Sequence, residues 1–223
     1  MTDLSAPNAF PVPTIVPLGD ACLLVRFGTT LTDQANRAVI AFARLLEREP
    51  VPGVDEVMPN LVSVLLRFDP LRAHPAQIAG EIRLRLFALG DSDADAPAHW
   101  TLPTVFDGPD LEEVATLLGL SAAAFVSAHN SRTLRVLATG FAPGFVYCGM
   151  HDDALVLPRR TSVRPMVPAG TVLFAAGQTA ITATPLPTGW HVLGRTDFAN
   201  FDASASPPTR LSPGDTVQFT VAT

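Results

Sequence analysis

The sequence predicts an α+β N-terminal domain followed by a mainly β domain closed, or nearly closed, into a barrel. Three observations carry this. Two strand-strand-helix units follow one another before residue 90; the small and acidic run GDSDADAPAH at 90–99 breaks the pattern; short apolar strands then recur between Gly and Pro turns. The break sets the expected boundaries at 1–92 and 98–223.

In ACLLVRF the residues Ala21, Leu23, Val25 and Phe27 share one face, and in LVSVLLRF the set Val62, Val64, Leu66 and Phe68 does the same, which is the period of a strand. TDQANRAVIAFARLLERE (32–49) places Ala35, Val39, Phe42 and Leu46 at helical spacing behind a Thr32/Asp33 start. PAQIAGEIRLRLFAL (75–89) repeats the pattern with Ile78, Ile82 and Leu86. A candidate hairpin precedes each helix, TIVPLGDACLLVRF and VDEVMPNLVSVLLRF, so both helices are expected to cover one face of a mainly antiparallel sheet. After the break, PDLEEVATLLG and SAAAFVSAHN read as short helices, the first with Pro109 near its start and Gly119 at its end. RTLRVLA, TVLFAA, TAITAT, WHVLG and TVQFTV read as strands, with the segment 140–170 wrapped over them.

Composition narrows the chemistry. A chain of 223 residues, 48% hydrophobic and 16% charged, buries a sizeable core. All 15 basic residues are arginine, so a phosphate-loop lysine, a Schiff base and a lysine general base are excluded. A net charge of −6, with one local basic cluster at Arg159, Arg160 and Arg164, argues against nucleic acid as a partner. Cys22 and Cys148 form no metal-ligand spacing, so no metal site is expected, and Cys148 reads as an apolar filler. The opening MTDLSAPNAFPVP has no basic start or signal-length apolar run, and no window approaches the roughly 20 apolar residues of a membrane span. A soluble cytoplasmic protein with no membrane partner is expected.

GFAPGFVYCGM at 140–150 accepts Gly140, Pro143 and Gly144 where an apolar strand ends. The two glycines and the fixed φ of Pro143 suit a rigid turn that presents N–H groups to an oxyanion or carboxylate, with Phe141 and Phe145 either anchoring the turn or walling a pocket. A tight crossover pinned by two core phenylalanines is the alternative. The planar donors of Arg159 and Arg164 form a candidate anion clamp, with Arg160 expected to point the other way along an extended segment. His129, at the end of a short helix, is a candidate for acid–base work, against a structural capping role. Gln178, Thr179 and Trp190 are expected at the rim of the barrel.

GPDLEEVATLLGLS, His129, GFAPGFVYCGM, PRR at 158–160, VPAGTV, AGQTAIT, GWHVLGRT and SPGDTVQF, in this order, resemble the KipI family. That family includes PxpB, one component of the bacterial ATP-dependent 5-oxoprolinase, and was formerly labelled allophanate hydrolase subunit 1. The resemblance implies a cyclophilin-like C-terminal barrel and half of a carboxyltransferase-type module. It also implies a KipA-like (PxpC-like) partner, a LamB/YcsF-type (PxpA-like) third subunit, and the ATP-dependent opening of 5-oxoproline to glutamate. ATP with magnesium is then bound largely by the partners, and this chain is a subunit inactive alone. Two other readings stay open: a KipI-type inhibitor of a sensor histidine kinase, and a subunit of a urea carboxylase or allophanate-type complex. The chain departs from the family pattern at Thr182-Ala183, Thr188-Gly189-Trp190 and Val163-Arg164-Pro165. The glycine turn and the Arg159–Arg164 segment are expected on one face, with Phe145, Val146 and Met150 partly uncovered as a partner surface.

Overall fold

Thr32 sits in extended backbone and its hydroxyl accepts the N–H of Ala35, so the first helix, α1 (Asp33–Arg48), starts where the capping residue stands. Ahead of it run β1 (Thr14–Pro17) and β2 (Cys22–Arg26); after it come β3 (Val54–Pro59), β4 (Ser63–Phe68) and α2 (Pro75–Ala88), which takes its proline in the first turn. The strands form an antiparallel sheet in the order β1-β2-β4-β3. Leu23, Val25, Val64, Leu66 and Phe68 point from it into a core completed by Val39, Phe42 and Leu46 of α1 and Ile78 and Ile82 of α2. The computed structural model describes residues 10–89 and 97–222, in two compact units that divide after Ala96.

The second unit contains β5 (His99–Thr104), α3 (Leu111–Leu117), α4 (Ala122–His129), β6 (Leu134–Thr139), β7 (Val146–Gly149), β8 (Arg164–Val167), β9 (Thr171–Ala175), β10 (Gln178–Ile181), β11 (Leu186–Thr188), β12 (His191–Arg195) and β13 (Thr216–Val221). Seven strands make one sheet in the order β12-β9-β10-β7-β6-β13-β5, antiparallel except for the β13–β5 pair. The sheet curls until Val105, just past β5, exchanges both backbone hydrogen bonds with Arg195 of β12 at 2.9 and 3.0 Å. Strands β8 and β11 form a separate ribbon.

Alternation along the strands separates two faces. Cys148, Thr179 and Phe174 are cross-strand partners on the inner face, which Val136, Val217 and Phe219 fill, with Phe125 of α4 packing beside Phe174. Tyr147, Ala180, Leu173 and Val192 are partners on the outer face, where Val167 and Leu186 of the ribbon pack over them. Strands β7 and β8 lie in the segment expected only to wrap over the sheet, and β5 was not foreseen at all. Its Pro103 reads as a strand breaker, but β5 pairs with one neighbour strand, which leaves an edge where proline is tolerated. No single helix among the described residues is long and apolar enough to cross a membrane.

The seam that closes the sheet is backbone against backbone. A Cβ added to Gly108 would overlap the main chain of Val192 and Leu193, and one added to Gly194 would overlap the Val105 carbonyl. Gly108→Ala and Gly194→Ala are each expected to cost more than about 3 kcal/mol, read from urea unfolding followed by tryptophan fluorescence. Both tryptophans, Trp100 and Trp190, belong to this unit, so the signal reports it alone. Gly80→Ala in α2, with nothing near the added Cβ, should instead stabilise its own unit by about 0.5–1 kcal/mol in a circular dichroism melt. Unchanged midpoints for the two seam variants would contradict this packing.

Candidate functional site

Asp110, just before α3, is 2% exposed. Its carboxylate accepts from Arg160 Nη1 at 2.6 Å, from Arg164 Nη2 and Nε, and from the Val192 N–H at 2.8 Å. Burial alone would raise its pKa, but the Val192 N–H, Arg164 and Arg160 outweigh that and hold the carboxyl below its ordinary value. Arg160 and Arg164 are therefore committed to an internal partner. Arg159 is not: among the described residues no carboxylate bonds it, and its guanidinium carbon stands 5.6 Å from the Trp190 ring centroid.

Trp190 belongs to an aromatic row on the outer face. Phe141 meets Phe145 at 5.5 Å between ring centroids, Phe145 meets Tyr147 at 4.8 Å, and Tyr147 meets Trp190 edge-on at 5.9 Å. The glycine turn stands at one end of the row and Arg159 at the other. Ala175 and Ala180 pack in the same cluster as these rings. Gln178 faces the same side, paired with Ala175, and its Oε1 is buried with no hydrogen-bond partner.

In the turn, Gly140 (φ 125°) and Gly144 (φ 67°) use their conformational freedom. Gly140 N–H donates to the Phe145 carbonyl and Phe145 N–H to the Ala142 carbonyl, both at 3.0 Å, so the N–H groups of Phe141, Ala142 and Gly144 have no partner among the described residues. Gly144 is fixed from the far side, where the buried Asn200 amide donates to its carbonyl at 2.8 Å while accepting the Leu211 N–H. Pro143 is exposed at the tip. Met150 is partly exposed as expected, but Phe145 and Val146 are buried, because Phe145 leads into β7, Val146 opens it and both faces of that strand are packed. The exposed apolar side chains of this segment are Phe141, Val156, Val163 and Met166 instead.

His129 and Thr179 lie on the other face, inside the curled sheet. The Thr179 hydroxyl is 2.8 Å from Nε2 of both His129 and His151, and His129 Nδ1 is 2.7 Å from the Asn130 side-chain carbonyl. That carbonyl only accepts, so His129 carries its proton on Nδ1 and takes the Thr179 O–H at Nε2; Thr179 then accepts from His151 Nε2–H. His151 Nδ1 is left as a buried lone pair without a partner. Burial pulls His129 down to about 4, against the bond to Asn130, and pulls His151 down to about 3, helped by His129 and Arg132. Burial pushes the Cys148 thiol up to about 12, which makes it inert. Among the described residues no group of three His, Cys, Asp or Glu side chains is placed to hold a metal.

The structure thus brings together Arg159, Trp190, Gln178, Phe145, Phe141 and the glycine turn, and places His129, Thr179 and Arg164 elsewhere. Sequence reasoning missed Asp110, His151, Tyr147 and Asn200. Tyr147 had a signal, as the single tyrosine of the chain inside its most unusual motif; the other three act through contacts distant in sequence.

Residues 13–211 match the family model described as carboxyltransferase domain, subdomain C and D. The chain is 33% identical over 218 residues to the B subunit of 5-oxoprolinase from Bacillus subtilis, covering 92% of this chain and 91% of the relative. The crystal structure of TTHA0988 superposes with a TM-score of 0.80 at 37% identity; the match covers 91% of this chain and spans 40% of that longer one. Urea carboxylase of Kluyveromyces lactis shares the fold, with a TM-score of 0.73 at 18% identity over 95% of this chain and 22% of the enzyme. The chain belongs to the carboxyltransferase domain, subdomain C and D, family.

The inner histidines predict the acid response of the second unit. Against an ordinary value of 6.5, the unfolded chain binds protons that folded His129 and His151 accept only near 4 and 3, so stability falls as pH drops through that window. Asp110 acts in the same direction lower down: its contribution is present above the unfolded carboxyl value and is lost as pH falls through the depressed folded one. Urea midpoints are expected to decline between about pH 6.5 and pH 4, more shallowly in His151→Gln. A flat midpoint across that window would refute the neutral pair. Asp110→Ala, which strands two arginines, is expected to cost about 3–5 kcal/mol at neutral pH.

Proposed function

From that membership we propose that the chain is the B-type subunit of an ATP-dependent 5-oxoprolinase, which opens the lactam of 5-oxoproline to glutamate only together with KipA-like and LamB/YcsF-type chains in the cytoplasm. The Bacillus subtilis relative is by name the B subunit of 5-oxoprolinase, and this chain matches nearly its whole length. The observation that carries the reading is the outer-face site: an arginine that no carboxylate bonds among the described residues, standing over an indole at the end of an aromatic row. That combination suits a small carboxylic acid, which 5-oxoproline is. The same reading takes the second unit as a cyclophilin-like barrel and the chain as two domains, 1–92 and 98–223.

Nothing in the site supplies a nucleophile with a base. The histidine expected to act, His129, is fully buried and neutral on the inner face. Magnesium and ATP do not fit the residues present either: the chain has no lysine, Arg160 and Arg164 are held by Asp110, and the described residues form no carboxylate or histidine cluster for the metal. Phosphoryl chemistry is therefore assigned to the partners. The part left to this chain is to bind and orient the acid, with Arg159 on its carboxylate and the aromatic row excluding water.

ATP-dependent hydrolysis of 5-oxoproline should require this chain and both partners together; full activity from the partners alone would overturn the reading. Arg159→Ala is expected to lower kcat/KM of the assembled enzyme about 10- to 100-fold, the worth of one charge-assisted hydrogen bond. Arg160→Ala should act chiefly through stability.

A further inference from the structure

We propose that the Tyr147 hydroxyl is a ligand-binding donor, and that it and the Arg159 guanidinium hold the two oxygens of one ligand carboxylate above Trp190. This deepens the reading of the outer-face site and rests on it for the location of the substrate.

Both groups converge on the same ring. Tyr147 lies 5.9 Å from the Trp190 centroid and the Arg159 guanidinium carbon 5.6 Å from it. The tyrosine ring is set by three contacts, with Phe145 at 4.8 Å, Trp190 at its edge and Ala180 directly across the strand pair. Its hydroxyl bonds nothing among the described residues, although the side chain is half-buried. The hydroxyl is not among the sealed polar atoms, so it is reached by solvent and is open to a ligand acceptor, while its ring is already held in place. Burial raises the phenol pKa while Arg159 lowers it, so the two groups are within electrostatic reach of each other.

The charge inventory selects the ligand class. Among the described residues, the guanidinium of Arg159 without a carboxylate and the Tyr147 O–H without an acceptor match a monocarboxylate; a phosphate dianion would call on Arg160 and Arg164, which Asp110 occupies.

The test uses the fact that Tyr147 is the only tyrosine, so the phenolate absorption band of the unlabelled chain reports this one group. In a spectrophotometric titration, 5-oxoproline and acetate should move phenol ionisation to higher pH in a saturable way, because a carboxylate beside the ring disfavours phenolate; inorganic phosphate at the same concentrations should not. Arg159→Ala should weaken the response to both acids at least about tenfold. In the assembled enzyme, Tyr147→Phe, which keeps the ring and the packing, should raise KM for 5-oxoproline about tenfold with little change in kcat.

An unmoved phenol band with wild-type KM in Tyr147→Phe overturns the proposal, as does an equal response to phosphate. If acetate shifts the band but the partners hydrolyse 5-oxoproline without this chain, the carboxylate site stands and the assigned function falls. If activity requires this chain, the wild-type phenol band does not respond to either acid and Tyr147→Phe keeps the wild-type KM and kcat, the function stands and the role of Tyr147 falls.

Discussion

One buried carboxylate decides what the arginines of the second unit do. Asp110 gathers Arg160, Arg164 and the Val192 N–H around itself, and each of these ties down a different piece of chain: the crossing segment, the ribbon and the start of β12. A single arginine would not repay the desolvation of so buried a carboxylate, whereas two guanidinium groups and a backbone donor satisfy both of its oxygens. Arg160 is further fixed by its N–H bond to the Gly189 carbonyl, next to Trp190. In an extended segment the neighbouring side chain points the opposite way, so Arg159 is directed onto the indole. The free cation of the site is thus a consequence of the bound ones.

The period of a strand draws a second division. Gln178 and Ala180 face outward with Trp190 and Tyr147, while Thr179 between them faces inward to two histidines. A one-residue alternation therefore separates the aromatic face that the ribbon covers from a sealed polar cluster. The inner cluster joins the end of α4, the middle of β10 and the start of the segment that leads to Arg159. Its hydrogen bonds are nearly complete with both rings neutral, which is the cheap state for buried imidazole. A proton there would gain little and cost much, so this cluster holds the frame on which the outer face is displayed.

Much of the fold could be read from local signals. Helix α1 begins at a Thr cap and follows a clean 3.6-residue period, and β2 and β4 alternate over enough residues to identify themselves. Strands β7, β8 and β11 escape because each is only three or four residues long and carries or follows a turn former, and β5, though six residues long, because it contains Pro103 and is paired through β13, 117 residues on. The site divides the same way. The glycines of the turn announced their left-handed conformations, and Arg159 and Trp190 were legible as chemistry. That Arg164 is engaged and Arg159 is not depends on Asp110, 54 residues from Arg164, and no spacing rule conveys it.

Phe141 is the residue that ordinary packing logic leaves unexplained. It adopts φ 74°, a left-handed conformation that costs a non-glycine residue about 1–2 kcal/mol, yet its side chain is 77% exposed and buries little in return. The strain is held by the turn's own anchors: the Asn200 bond to Gly144, and the packing of Gly144 so close to Phe201 and Ala183 that no side chain fits there. Val163 and Met166, also exposed, come from the segment that carries the arginines and from the ribbon covering the outer face. Exposed apolar side chains beside a strained turn, at a conformational cost that their own burial does not repay, are the kind of surface that association with another chain covers.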